Sequence, residues 1–299
     1  SNVSVIVNAD GTVDYTPDTN FSGNDSFTYT VQDNEGTTSN EAIVSVTVEA
    51  VSTTNPVIPN PVTDPLNPVG GTEGNDGLLG TDDDNFLEAL GGNDALSGGD
   101  GNDFLDGEEG IDTAVYQFDP AGVTVDLAQG FAIDGYGKTD GLASIENVIG
   151  SDFKDKISGD KGINNLSGRE GDDTLNGGNG NDVLLGGNGS DLLTGGGDAD
   201  RFLYVSPNEG GDTIEDFDPS MDSLLIVGAV FPGGLSGGIL SANEFFSGSS
   251  ATDAAHRFGY DANVGEVWFD QDGVGGANAQ VLATLTGAQD FTNNNIIVL

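Results

Sequence analysis

The sequence predicts an all-β protein: a parallel β-roll in two blocks, with part of a β-sandwich before it and a β-rich C-terminal cap after it. Three observations carry that expectation. Residues 71–115 and 150–203 hold a nine-residue period, with Asp or Asn at the sixth position and an apolar residue at the eighth. Residues 1–49 alternate apolar and polar side chains, as in Phe27, Tyr29 and Val31 against Thr28 and Thr30, the period of half-buried strands. Residues 204–299 return to ordinary composition, with short apolar runs such as Leu224-Leu225-Ile226 and Ile296-Ile297-Val298.

Composition narrows the function. The 299 residues carry 50 acidic and 7 basic side chains, a formal charge of −43. That sign excludes nucleic acid as a natural partner and disfavours anionic membrane surfaces. It requires either disorder or a large supply of bound cations. There is no Cys, hence no disulfide framework and no thiolate metal site. No run of 18 apolar residues is present, so a transmembrane helix is not expected. The N-terminus SNVSVIV lacks Met, a basic region and a cleavage site, and the chain is expected to begin inside a longer parent.

Taken in order, residues 1–49 fit about four strands, with turns at Asp10-Gly11, Ser22-Gly23-Asn24-Asp25 and Asp33-Asn34-Glu35-Gly36. A sandwich needs about seven strands, so this domain is partial. Residues 50–69 hold Pro56, Pro59, Pro61, Pro65 and Pro68, which favour polyproline II and a semi-rigid linker. Block 1 follows at 70–115, a β spacer at 116–149 containing the alternating GVTVDLAQG, block 2 at 150–203 and the cap at 204–299.

Within the blocks the sixth position is Asp76, Asn85, Asp94, Asp103 and Asp112, then Asp155, Asn164, Asp173, Asp182, Asp191 and Asp200. The eighth is Leu78, Leu87, Leu96, Leu105, Ala114, Ile157, Leu166, Leu175, Leu184, Leu193 and Phe202. A disordered linker would share the composition without keeping two columns in phase. The unit reads G-G-x-G-x-D-x-U-x, with U apolar, and resembles the calcium-binding nonapeptide repeat of the RTX proteins. The segment DGTVDYTPDTNFSGNDSFTYTVQDNEG resembles the second half of a bacterial Ig-like or cadherin-like repeat.

Elementary geometry agrees with the first resemblance. Glycines at the first, second and fourth positions permit positive φ, so six residues form a tight turn. Three more make a strand with one inward side chain. Two such units close one coil, and turn n stacks on turn n+2 at about 4.8 Å. A calcium ion between two oxygens needs them about 4.6–5.2 Å apart. The resemblance implies a calcium-loaded roll in which the sixth-position side chains and early carbonyls are ligands. Counting n/n+2 pairs gives about seven ions. Unneutralised, neighbouring carboxylates about 5 Å apart repel by roughly 0.8 kcal/mol even in bulk dielectric, so folding is expected to require calcium.

The sites are expected to be unequal. Asn85 and Asn164 weaken their pairs with Asp103 and Asp182, and Phe153 replaces a fourth-position glycine. Asp212 and Asp216 are further metal candidates at the end of the roll. Asp270-Gln271-Asp272-Gly273 reads as a turn, because no flanking helix or bidentate Glu accompanies it. His256 is the only histidine, Trp268 is a core candidate, and no hydrolase, zinc-protease or phosphate-loop motif occurs.

A calcium-binding, structural or adhesive, non-catalytic region of a secreted bacterial surface protein follows. The RTX resemblance implies the type I secretion machinery, folding outside the cell, and a signal within the last residues. A cell-surface, matrix or glycan receptor is a further partner, and open strand edges in the partial domain suggest head-to-tail self-association into filaments. The alternatives are the carrier tail of a secreted enzyme or toxin, distinguished by an upstream catalytic domain, and a carbohydrate-binding module.

Overall fold

A computed structural model describes residues 68–248, 250–274, 279–288 and 290–299, together with four N-terminal strands. The chain divides into two compact units, residues 1–55 and 56–299. In the first, Val3–Val7 pairs antiparallel with Val13–Pro17, and Gly23–Tyr29 with Ala42–Val48. Gly23, Asn24 and Asp25, expected in a turn, instead pair with Val48, Thr47 and Val46. The long partner strand extends the ladder past the point where local turn preference would end it. The expected turns at Asp10-Gly11 and Asp33–Gly36, and the linker up to residue 67, lie outside the described residues.

The second unit is a roll of two facing sheets. One sheet stacks Gly77–Leu79, Ala95–Ser97, Thr113–Val115, Asn147–Ile149, Asn165–Glu170, Val183–Asn188, Arg201–Tyr204, Ser223–Ile226 and Ile296–Val298, all parallel. The other begins with Pro68–Thr72, Phe86–Gly92 and Phe104–Asp106 and resumes with Lys156–Ser158, Thr174–Asn179, Leu192–Gly197 and Asp212–Ile214. Thr174 pairs with Lys156 on one side and Leu192 on the other, so one coil is two nonapeptides. The first strand takes in Pro68 and Val69 from the Pro-rich stretch, an edge position where a missing donor is tolerated.

Every eighth-position side chain is buried, from Leu78 to Phe202. They form the single-file interior, each burial contributing about 1.5–3 kcal/mol for the larger residues.

The two sequence blocks are one continuous stack. Thr113–Val115 pairs directly with Asn147–Ile149. Across the roll, Thr139–Ala143 lies on Phe104–Asp106, turns back through Phe131–Ile133 to Thr124–Asp126, and delivers that strand to Lys156–Ser158. The spacer therefore supplies the missing layers of both sheets. At the far end Asp212–Ile214 pairs with Gln280–Leu285, which leads through Glu266–Phe269 and Phe258–Asp261 to Phe245–Ser247. Phe231, Phe258 and Phe269 pack beneath these strands, with the Phe231 and Phe269 rings edge to face at 5.0 Å. Trp268, expected in the core, is half-buried on the opposite side of its strand from Val267 and Phe269.

Candidate metal centre

The sixth-position side chains stand in two files, one along each edge of the roll. In each file a carboxylate Oδ1 accepts the backbone N–H of the sixth residue one coil earlier: Asp94 from Asp76, Asp112 from Asp94, Asp173 from Asp155, Asp182 from Asn164, Asp191 from Asp173 and Asp200 from Asp182, at 2.6–2.9 Å. Asp103 accepts likewise from Asn85 at 2.8 Å. The second oxygen is left over. Oδ2 of Asp94, Asp103, Asp112, Asp173, Asp182, Asp191 and Asp200 has no hydrogen-bond partner, although these residues are at most 2 % exposed. A buried carboxylate oxygen without a donor costs several kcal/mol unless a cation meets it.

Three residues that sequence reasoning missed continue the files. Asp140 Oδ1 accepts from Asp103 N–H at 3.0 Å, Glu146 Oε2 from Asp112 N–H at 2.8 Å, and Asp222 Oδ1 from Asp200 N–H at 2.9 Å. Asp140 and Asp222 lie out of nonapeptide phase, so no spacing could reveal them, whereas Glu146 stands nine residues before Asp155, at the sixth position of a unit, 141–149, whose glycines are mostly replaced. Asp212, a metal candidate from the sequence, joins a file, accepting from Asp191 N–H at 3.0 Å, and its other oxygen takes the Tyr204 hydroxyl, also at 3.0 Å. Asp216 holds the N–H groups of Gly195 and Gly196 at 2.9 and 2.8 Å. Both oxygens of each are thus occupied by donors, and these two residues tie down the end of the roll. A second ladder also escaped the motif. Fifth-position Asn75, Asn93, Asp172 and Asn181 accept the N–H of residues 93, 111, 190 and 199 on the next coil.

The first-position glycines are required for a reason other than the expected one. Among them, Gly98, Gly107, Gly168, Gly177, Gly186 and Gly195 do not have positive φ. A Cβ there would collide with the Oδ2 of the turn's own sixth-position Asp. At Gly168 and Gly177 the carbonyl oxygens of Gly186 and Gly195 would also stand only 2.7 and 2.6 Å from it. A carboxylate oxygen and a carbonyl oxygen from the next coil thus share one gap, kept open by the missing side chain. Among the described residues no three acidic or histidine side chains gather at one point. A cation in these gaps therefore draws on one or two carboxylates and backbone carbonyls, the hard oxygen donors that suit calcium.

Burial dominates the electrostatics. It pushes the carboxyls of Asp182 and Asp191 up to about 6, Asp103, Asp173 and Asp200 to about 7, and Asp140 and Asp212 to about 8. Hydrogen bonds from the backbone oppose the rise and neighbouring carboxylates add to it. In the metal-free fold these groups hold protons more tightly than in the unfolded chain. Their contribution is complete below the ordinary value of 3.8 and is lost as pH rises through about 6 to 8. Calcium-free chain is expected to gain β-structure as pH falls from about 8 to about 4, and calcium affinity to fall over the same window. Circular dichroism of calcium-free chain checks this; a flat profile refutes it.

Fold and files together define a repeat protein whose stacked turns carry buried, donor-free carboxylate oxygens along two edges. The family comparison makes the class specific: residues 79–114, 149–184 and 176–203 match the RTX calcium-binding nonapeptide repeat, and residues 1–50 match the bacterial cadherin-like domain. The chain thus carries RTX calcium-binding nonapeptide repeats, with a cadherin-like segment at its N-terminus. RTX repeats bind calcium and are typical of secreted proteins, type I substrates among them.

Similar solved structures include the AlgE6R3 subunit of the Azotobacter vinelandii mannuronan C5-epimerase, 30 % identical over 50 % of this chain and 80 % of that one, with a TM-score of 0.36. Another is the extracellular lipase LipA of Serratia marcescens, 18 % identical over 78 % of this chain, with a TM-score of 0.33. The chain spans 40 % of the lipase's length. The comparison with curated proteins finds no match. Among the described residues, no helix is long and apolar enough to cross a membrane.

Proposed function

We propose that this chain is a non-catalytic, calcium-binding structural and adhesive region of a secreted bacterial surface protein, unfolded during type I export and folded by about seven calcium ions outside. One observation carries the reading: a file of buried carboxylates along each edge, seven of whose repeat members keep one oxygen without a donor. Such an arrangement suits a low-calcium cytoplasm, where the chain stays open, and a calcium-rich exterior, where it closes. His256 supports the non-catalytic reading, since its Nδ1 accepts from Thr252 N–H and its ring stacks on Phe246. The apolar end serves the roll as well as any export signal, with Ile296 and Val298 buried against Ser223–Ile226.

Co-expression with a type I export apparatus tests the proposal. Exported chain is expected to resist protease in calcium and to be digested once calcium is chelated; chain retained in the cell refutes the export reading. Cells or matrix should bind beads coated with the calcium-loaded chain, and equal binding to bare beads refutes adhesion. Light scattering in calcium decides self-association, for which mass must grow beyond the monomer. A second reading, glycan binding by the cap, is favoured by a cleft of about 350 Å³ lined by Phe245, Tyr260, Phe291, Asp261 and Asn263. A glycan array showing no retained sugar removes it.

A further inference from the structure

The roll contains two kinds of turn. In the turns opening at Gly71, Gly80, Gly150 and Gly159 the second residue is Thr72, Thr81, Ser151 or Asp160, none with positive φ. The N–H of that residue donates to the sixth-position side chain, at 2.6 Å to Asp76, 2.5 Å to Asn85, 2.7 Å to Asp155 and 2.8 Å to Asn164. The hydroxyls of Thr72, Thr81 and Ser151 add a second bond at 2.8, 3.2 and 2.7 Å. These turns are closed by their own donors.

In the seven other turns the second residue is Leu90, Gly99, Glu108, Arg169, Gly178, Gly187 or Gly196, all left-handed with φ between 58° and 105°. Their sixth residues are Asp94, Asp103, Asp112, Asp173, Asp182, Asp191 and Asp200, the seven repeat carboxylates whose Oδ2 has no partner. The division has no exception. Both sixth-position Asn residues, Asn85 and Asn164, fall in closed turns, and every open turn keeps a full carboxylate. The chemistry explains the split. An N–H aimed at Oδ2 stands where a cation would bind and points the positive end of its dipole at it. Thr, β-branched, resists the left-handed region that opens the turn, while Ser and Asp favour local bonds to backbone N–H.

We propose that the second-position residue assigns the calcium sites: the seven open turns bind the ion and the four closed turns do not. This rests on the calcium reading above and moves the sites one coil towards the C-terminus. Each block then begins with a coil held by hydrogen bonds alone. The ions at Asp103, Asp191 and Asp200 face layers supplied by Asp140, Asp212 and Asp222, outside the nonapeptide phase, and the ion at Asp112 faces Glu146, nine residues before Asp155.

Native mass spectrometry of the whole chain in calcium, with wild type, Asp155→Asn and Asp200→Asn, tests the assignment. Asp155→Asn places in a closed turn the Asn already present in two others and should keep every ion; it is read by ion count alone, because the Oδ1 of Asp155 also accepts the Val123 N–H at 2.8 Å. Asp200→Asn should lose one ion and need several-fold more calcium to fold; if its last coil unfolds, Asp94→Asn gives the same reading. Loss of an ion in Asp155→Asn, or full occupancy in both open-turn variants, overturns the assignment while leaving the calcium function standing. A wild-type chain that takes no calcium refutes both.

Discussion

Removal of calcium should unfold residues 71–203 and leave their strands absent from the circular dichroism spectrum. Each site filled at a hundred times its dissociation constant adds about 2.7 kcal/mol to stability, so seven add roughly 19 kcal/mol, more than the ~5–15 kcal/mol a domain holds in total. What remains is unfavourable. The interior is one side chain deep, the chain includes 48 glycines that lose the most backbone entropy on ordering, and the carboxylates along both edges are buried without counter-charge. Magnesium should restore little, because it demands a tight octahedron that flexible carbonyl-lined turns do not supply. The measurement is a calcium titration followed by circular dichroism. Full strand content in chelator would refute the coupling of folding to metal.

The second large effect is expected from Gly187→Ala. Gly187 has a φ of 102°, and a Cβ there collides with the backbone carbonyl oxygen of Arg169 one coil earlier. The left-handed conformation costs a non-glycine residue about 1–2 kcal/mol, and no rotamer relieves a clash with backbone. A loss of at least ~3 kcal/mol is expected, roughly a hundredfold in the folding equilibrium. Gly74→Ala is the control, since its φ is not positive and the nearest atom is the Thr72 hydroxyl at 3.9 Å. It should change stability by less than ~0.5 kcal/mol. The calcium midpoint of folding reads both variants, and equal midpoints would mean that the coils do not stack in this register.

Local chemistry is the part of this protein that a period can carry. Leu184 faces the interior because strand side chains alternate, and Asp182 sits on an edge because the turn precedes the strand by a constant number of residues. The sixth and eighth columns, the eighteen-residue coil and the calcium reading were therefore legible in the order of residues. So, in hindsight, was the division of turns, since Thr72, Thr81, Ser151 and Asp160 break the second-position pattern in the sequence itself.

Contacts made across the fold leave no period. Asp140 reaches Asp103 across 37 residues, a distance set by how the spacer doubles back. Asp212 and Asp216 were found by position, but only packing shows that Tyr204, Gly195 and Gly196 already occupy their oxygens. The first-position glycines were legible as glycines, whereas the collision that excludes a Cβ exists only once carboxylate and carbonyl are stacked. The sequence by itself determined the repeat and its core, because these follow from the covalent spacing of nine residues. The tertiary structure alone decided which layers complete the files and which oxygens remain for metal, because donors reach those oxygens only through coils brought together by folding.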